Sequence, residues 1–430
     1  MHTLLLLLVM VIFCSPTSWA TNGMNMIGYG AVSSAMGGAD LALVDNVTAM
    51  NINPAGLCGC SGTEISVGDS MMQPRNHHED HHGNDLLAEE QLMHLPLIAW
   101  SHPVKDTPFS IGLGLFAQGG MGLRYENFHL PFADLVDIPQ EYDEISSSIS
   151  YVKITPTLAW HSKDCRLKLG ICLQGGYATA EMNMFPNTSI SVDSDGNNNF
   201  SFMGMKLKDS RALTTGLRLG FQYRWGDLTL GGAYLTASKL TYKNGNAQIN
   251  YSALGEGRVD YAAEMSGFNW PRQAGLGCSY NVSDKLKLAV DVDWINWSKA
   301  VKKIQISLHQ TNNDSVPHSL TYNYPMAWRD QFVFAAGMEY RCDNDLCLRL
   351  GYNHGNNPVP AKNLFPYFPA IVTDHVTAGT GLTWGEWQID LALEWALKKK
   401  GSGANGLFCQ HGYSAEVSQF ISHIMVTHHY

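Results

Sequence analysis

The side chains best suited to hold a metal are crowded into one short run. His77-His78-Glu79-Asp80-His81-His82 brings four imidazoles and two carboxylates together. The pairs His77/His81 and His78/His82 have the i, i+4 spacing that chelates zinc or copper on an ordered helix. We read the run instead as a solvated outer loop, and expect neither a metal nor a cofactor. Nine cysteines are present. Cys342 and Cys347 flank Asp343-Asn344-Asp345 and could close a hairpin, and Cys58 and Cys60 share one tight turn. In an exported chain such thiols can oxidise, or serve as small buried hydrophobes. No G-x-S-x-G elbow occurs, and the H-E-x-x-H spelling His78-Glu79-Asp80-His81-His82 falls inside the run read here as a loop, so no enzyme is expected. An embedded lipid hydrolase with nucleophile and base on separate strands would escape both motifs and stays as an alternative.

Composition sets the surroundings of these residues. Charged residues are 15% and hydrophobic residues 45% of the 430-residue chain, with 41 glycines, a balance too poor in charge for an ordinary soluble domain. The formal net charge of -10 excludes nucleic acid as a partner, because phosphate binding needs clustered cations. Leu4 to Cys14 has the length of a secretory apolar core and is followed by Ser18-Trp19-Ala20, a small-x-small cleavage pattern. Residues 1–20 therefore read as a signal peptide, although Met1-His2-Thr3 lacks Lys and Arg. No later apolar run is long enough for a spanning helix. A closed β-barrel is the other way to cross a bilayer without leaving backbone groups unpaired.

The strand pattern supports the barrel. Leu213, Leu217, Leu219, Phe221 and Tyr223 alternate with Thr214, Gly216, Arg218, Gly220 and Gln222, so one face suits lipid and the other a wet lumen. Trp387, Ile389, Leu391, Leu393, Trp395 and Leu397 alternate in the same way, with aromatic residues near both ends as an interfacial girdle requires. Six short turns, such as Trp225 to Asp227 and Gly385-Glu386, interleave with seven long connections, such as Met121 to Ser147, Met182 to Ser210 and Pro358 to Ile371. The count implies an all-β transmembrane antiparallel barrel of about fourteen strands. Residues 21–60 are too rich in glycine for a strand and are expected to form a hatch, with residues 61–430 as the barrel.

That first segment carries the ordered motifs Gly28-Tyr29-Gly30-Ala31, Ala35-Met36-Gly37-Gly38-Ala39 and Asn53-Pro54-Ala55. Further along stand Pro271, Gly277, Tyr280, Asp284, Asp291, Trp294, Trp297 and Ser298, then Trp328-Arg329-Asp330, Gly337 and Glu339-Tyr340-Arg341. Leu348-Arg349-Leu350-Gly351-Tyr352 and Pro358-Val359-Pro360 follow. In order and spacing the chain resembles the FadL/TodX family of outer-membrane transporters of long-chain fatty acids and hydrophobic compounds. The resemblance covers nearly all of residues 21–430, with Gln73 to Gln91 and Met182 to Ser210 matched poorly.

The resemblance implies a bacterial outer-membrane channel. Its ligand is captured at the outer loops and released sideways through a kink in the third strand. In this sequence that strand is Phe109 to Phe116, running into Gln118-Gly119-Gly120-Met121-Gly122, where glycines would interrupt pairing. The same run could also be the start of a loop. We expect the kink there, with Asn53 donating to the backbone groups it frees. Candidate ligand contacts are Met24, Met26 and Ile27 at the mature N-terminus, Phe116, and Met184, Phe185, Phe202, Met203 and Met205 in a long connection. Arg218 and Arg329 are candidate partners for a carboxylate head group. The expected partners are a hydrophobic small molecule, outer-membrane lipid and lipopolysaccharide, with the chain a monomer. A water-filled general porin is the other alternative.

Overall fold

The structure, a computed structural model, describes residues 22–60, 62–133, 141–192, 200–403 and 412–430. The expected signal peptide, residues 1–20, lies outside the described residues. Fourteen antiparallel strands form a closed ring. They are β1 (Glu64–Asp80), β2 (Met93–Pro103), β3 (Phe109–His129), β4 (Tyr142–Ile154 and Thr157–His161), β5 (Leu167–Val192), β6 (Phe200–Trp225) and β7 (Leu228–Leu235 and Thr241–Tyr251). The second half comprises β8 (Gly257–Ser266 and Gln273–Asn281), β9 (Leu286–Ile295 and Lys303–His309), β10 (Leu320–Pro325 and Gln331–Arg341), β11 (Leu346–Gly355), β12 (Asp374–Trp384), β13 (Trp387–Gly403) and β14 (Tyr413–His429). The ring closes where β1 pairs with β14, from Glu64↔His429 to Asp80↔Tyr413.

In the lower half of the barrel, next to the short turns, the expected alternation holds. Leu213, Leu219, Phe221, Leu391, Leu393 and Trp395 are exposed on the outer face, where lipid covers them, while Arg218, Gln222, Asp390 and Glu394 are buried inside. From Phe332 to Tyr340 on β10 this apolar belt runs roughly 27 Å along the strand, or about 21 Å in height at the usual barrel tilt, close to the apolar band of a bilayer-spanning barrel.

Above the belt the phase inverts. On β4, Ile154 and Leu158 face outward, but Ile145, Ile149 and Tyr151 are buried inside while Ser148 and Ser150 face out. On β6, Met205 and Leu207 turn inward above the outward Leu213. The strands therefore continue past the membrane as hairpins whose apolar side faces the lumen. This corrects the reading of long loops: Met121 to Ser147 is largely the top of β3 and β4, and most of Met182 to Ser210 is the β5–β6 hairpin. Pro358 to Ile371 is not a strand. It folds into the barrel mouth, where Phe365, Tyr367, Phe368 and Ile371 are buried.

Ahead of the wall, the first described residues form the hatch inside the barrel: helix α1 (Ala31–Ala35) and two 3-10 turns, Val47–Asn51 and Pro54–Gly59. Asn46 caps the first turn by accepting from Thr48 N, and Asn53 caps the second by accepting from Ala55 N, with Pro54 at its first position. The seven described cysteines are all free, so neither Cys342 with Cys347 nor Cys58 with Cys60 is joined.

Leu391 lies mid-belt on β13 with its side chain toward lipid. Leu391→Arg should lower the folding free energy by about 2–4 kcal/mol, read from guanidinium titration of protein folded into lipid vesicles. An unchanged midpoint would contradict the lipid-facing assignment.

Candidate functional site

The hatch is seated by wall positions that have no side chain. A Cβ at Gly170 would overlap the Pro54–Ala55 backbone, one at Gly220 the Asn53 side chain, and one at Gly231 the Leu41 carbonyl. On the opposite wall, Gly351 meets Gly37 and Gly379 meets Ala35. Hydrogen bonds fix the same contacts. Asp291 Oδ2 accepts from Asp40 N at 2.7 Å and Leu41 N at 2.8 Å, Asn353 donates to Gly37 O at 2.8 Å, and Thr377 donates to Ala35 O at 2.9 Å.

Asn53 belongs to this seat and not to the kink. Its Nδ2 donates to Leu41 O at 2.7 Å and to Phe221 O at 2.9 Å on β6, which uses both amide protons. The expectation that it services the third strand is overturned, because the Pro54 turn lies against β5 and β6. Phe116 is likewise part of the seat: it is buried in one apolar cluster with Ala31, Met50, Leu57 and Leu97.

The kink is real. β3 does not end at Phe116 and the glycine run is not a loop start: the strand continues to His129 with a register shift against β4 between Ala117 and Gly119. Gln118 is the extra residue of this bulge. Gly119 has φ +133°, which an L side chain rarely adopts, and its Cβ would overlap the Met24 carbonyl.

The bulge also ends the pairing of β3 with β2. The last rung is Leu97↔Phe116, and β3 is next held on that side where Glu89 N donates to Arg124 O at 2.8 Å. Between these points the β2–β3 ladder is open. The N-terminal segment lies against the opening. Asn25 forms an isolated bridge with Gly119, and Tyr29 donates from its hydroxyl to Gln118 O at 3.2 Å. A crevice of about 50 Å³ runs beside it, lined by Met24, Met72, Met93, Met121 and Ile371 among others.

Inward of the opening, the outer half of the lumen holds one continuous apolar cluster. Met24, Met184, Phe185 and Met205 are buried in it, with Phe202 and Met203 packed against it. Two ring series run through it. Phe132 stands 4.7 Å from Phe202 and 6.2 Å from Phe185, which is 5.9 Å from Phe128. Deeper, Tyr151, Trp270, Trp297 and Trp328 are linked at 4.9, 6.3 and 5.2 Å. A Cβ on Gly23 would overlap the Trp297 ring, so the first described residues lie against this cluster. Met26 and Ile27 are buried but join neither main apolar cluster.

Arg218 does face the lumen, where its Nη1 donates to Ile52 O at 2.6 Å in the hatch. Arg329 is exposed beside the inward-facing Trp328, so it is not a lumen cation. Lys153 on β4 was overlooked. It is 1% exposed, its Nζ has no hydrogen-bond partner among the described residues, and it stands 5.3 Å from the Tyr151 ring centroid. The neighbouring inner face carries Gln174, with both amide atoms also unpartnered, and the unpartnered Nε of Arg218. Strand parity with Ile149 and Tyr151 was the signal that could have revealed Lys153.

A hydrogen-bonded chain crosses the barrel closure. Ser70 Oγ is 2.8 Å from His423 Nδ1, His423 Nε2 is 3.2 Å from Glu394 Oε2, and Glu394 Oε1 is 2.6 Å from His375 Nδ1. These are the residue types of a nucleophile, base and acid, but Ser70, His423 and Glu394 are each about 2% exposed, which leaves a substrate no access. The arrangement fastens β1, β12, β13 and β14 to one another. In the His-rich run, His77 pairs with Asp85 while His78 turns inward to Asp80 and packs on Phe128 and Tyr413. Among the described residues no three His, Cys, Asp or Glu side chains are grouped to hold a metal.

A family model described as outer membrane protein transport protein (OMPP1/FadL/TodX) matches residues 13–419. The chain belongs to this family. The FadL/TodX barrel is also seen in solved structures. The Pseudomonas putida toluene transporter TodX aligns at TM-score 0.76 and 18% identity over 94% of this chain and 99% of its own. The Ralstonia pickettii toluene transporter TbuX aligns at 0.72 and 22% identity over 94% and 99%. A Pseudomonas aeruginosa FadL homologue aligns at 0.71 and 15% identity over 96% and 100%. No curated protein sequence matches. The chain is thus an outer-membrane transport protein and not an enzyme.

Asn53→Ala would remove one donor each from the Leu41 and Phe221 carbonyls, leaving Leu41 O the longer bond from Gln222 Nε2 at 3.3 Å, at about 0.5–1.5 kcal/mol for each bond lost. The expected result is faster hydrogen exchange across the hatch and measurable ion conductance in planar bilayers, with β-barrel content unchanged. Conductance equal to the parent protein would mean that Asn53 does not secure the hatch.

Proposed function

We propose that this protein takes up hydrophobic compounds through the outer-half lumen and releases them sideways between β2 and β3. One observation carries the reading: the β2–β3 ladder is open beside the Gln118 bulge, and the segment from Gly23 to Asn25 lies between that opening and the tryptophan cluster. Ligand enters among Phe132, Phe185, Phe202 and Met203 at the rim, passes to Trp270, Trp297 and Trp328, and leaves where Met24 and Asn25 move aside. The hatch, seated on wall glycines and hydrogen-bonded to both sides, closes the alternative route to the periplasm.

The energetics favour this exit. A sixteen-carbon tail moving from the apolar lumen into water would lose on the order of 12 kcal/mol, at about 0.8 kcal/mol per methylene. An exit into lipid avoids that barrier. An open porin would need no hatch and no apolar cluster across its lumen. One chain closes the ring, which supports a monomer as the working unit.

Within this reading Lys153 and Arg218 suit a ligand with an anionic head. A buried ammonium without a partner is unfavourable, and a carboxylate hydrogen-bonded to it and to Gln174 would relieve that.

Two measurements test these statements. Gly120→Val, whose Cβ would overlap the Ile149 carbonyl of the paired strand β4 and so disturb β3 beside the opening, should cut the initial uptake rate in cells about tenfold, or ~1.4 kcal/mol on the barrier, with barrel content unchanged. Undiminished uptake would remove lateral release. Lys153→Met should weaken oleate binding roughly tenfold or more and leave a neutral hydrocarbon unaffected, read by quenching of tryptophan fluorescence. Equal loss for both ligands would assign Lys153 a packing role only.

A further inference from the structure

Three adjacent wall strands are interrupted at the same height. β8 breaks between Ser266 and Gln273, β9 between Ile295 and Lys303, and β10 between Pro325 and Gln331. Pro271 and Pro325 stand at two of these breaks, where a missing donor is tolerated. Into the gap the chain inserts the short helix Trp297–Ala300, with Trp297, Trp328 and Trp270 turned inward.

With the aromatic rings directed inward, the outer surface of the gap is cationic. Arg272, Lys299, Lys302, Lys303 and Arg329 are all exposed there. Backbone bonds show how close they lie: Asn296 N donates to Arg272 O, Met326 N and Ala327 N to Lys302 O, and Trp328 N to Val301 O. None of the five makes an ion pair with a described residue. Two carboxylates share the sector. Asp330 is occupied by Trp294 Nε1, Asn296 Nδ2 and Ser298 N, and Glu264 lies further up β8, opposite Ser307.

Height decides what meets this surface. Trp294 and Phe332, partners across β9 and β10, form the upper edge of the lipid-facing belt directly below the gap. Arg272 lies over the Trp294 ring, 5.7 Å from its centroid. The cations therefore stand at the outer membrane–water boundary, where lipid head groups lie. Elsewhere on the rim several exposed cations are compensated: Lys398 pairs with Glu416, Lys400 with Glu79, and Arg124 is outnumbered by Glu89, Glu126 and Glu144 beside the β2–β3 opening, while Lys208 and Lys243 stand exposed further up the β6 and β7 hairpins without an ion pair to a described residue.

We propose that the outer surface of the β8–β10 break binds the phosphate groups of a lipid A-type glycolipid in the outer leaflet. Its acyl chains lie on the belt below Trp294 and Phe332, and its phosphates are shared among Arg272, Lys299, Lys302, Lys303 and Arg329. Arg272, already fixed by its bond to Asn296 Oδ1 at 2.8 Å, needs little ordering. The site sits across the barrel from the opening, whose acidic rim repels the same phosphates, so the rigid glycolipid is held where no ligand has to exit. The site does not depend on what the lumen transports.

Native mass spectrometry of the purified full-length barrel tests this, with bis-phosphorylated lipid A, its dephosphorylated form and phosphatidylethanolamine as separate probes. A surface Lys or Arg contributes about fivefold to binding an anionic lipid, so Lys299→Gln/Lys302→Gln/Lys303→Gln should lose roughly a hundredfold in lipid A affinity. The control Lys206→Gln/Lys208→Gln/Lys243→Gln, on β6 and β7, should lose little. The parent protein should prefer the bis-phosphorylated probe to the other two. The proposal is overturned if the dephosphorylated form binds equally well, or if the two triple variants behave alike. The parent comparison decides even if a variant fails to fold.

Discussion

The lumen is organised by how closely the hatch backbone can approach the wall. At Gly170, Gly220, Gly231, Gly351 and Gly379 a side chain would occupy space that hatch atoms fill. Backbone in contact with backbone excludes water, and the buried polar groups must then find partners within the protein. Asp291, Asn353, Thr377 and Asn53 provide them from the wall and the hatch. Because these contacts reach both sides of the ring, displacing the hatch would break all of them together. Displacing Gly23 to Asn25 would leave that seat in place.

Two apolar clusters follow from that division. The lower one, with Phe116, Leu97 and Leu57, is permanent packing around the hatch. The upper one is lined by aromatic and methionine side chains that can rearrange around a guest. The inversion of strand phase above the belt creates it: lipid requires apolar residues outside, while water around the extended hairpins requires them inside.

The opening between β2 and β3 is the local consequence of one inserted residue. Gln118 shifts the β3 register against β4 while leaving that ladder intact on either side, and the strain appears on the β2 side as lost pairing. Freed backbone groups there are met by the segment ahead of the hatch helix, through Asn25 and Tyr29. The same segment that closes the opening touches Trp297, so occupancy of the aromatic cluster and closure of the wall are mechanically joined.

The closed barrel, the short turns, the hatch and the interruption of the third strand at its glycine run are legible in the residues alone. Each rests on local rules: period-two alternation, turn residues, glycine content and the need to pair every backbone group in lipid. The same rules misjudged the long connections, because the alternation continued there with its phase reversed and looked like the loss of a strand. Which inner-face residues meet depends on the closed fold. Asn53 reaches Phe221 across 168 positions of chain, and the isolation of Lys153 depends on neighbours on β5 and β6. Ring closure sets those neighbours, and nothing in local spacing encodes which side chains will face one another across a lumen.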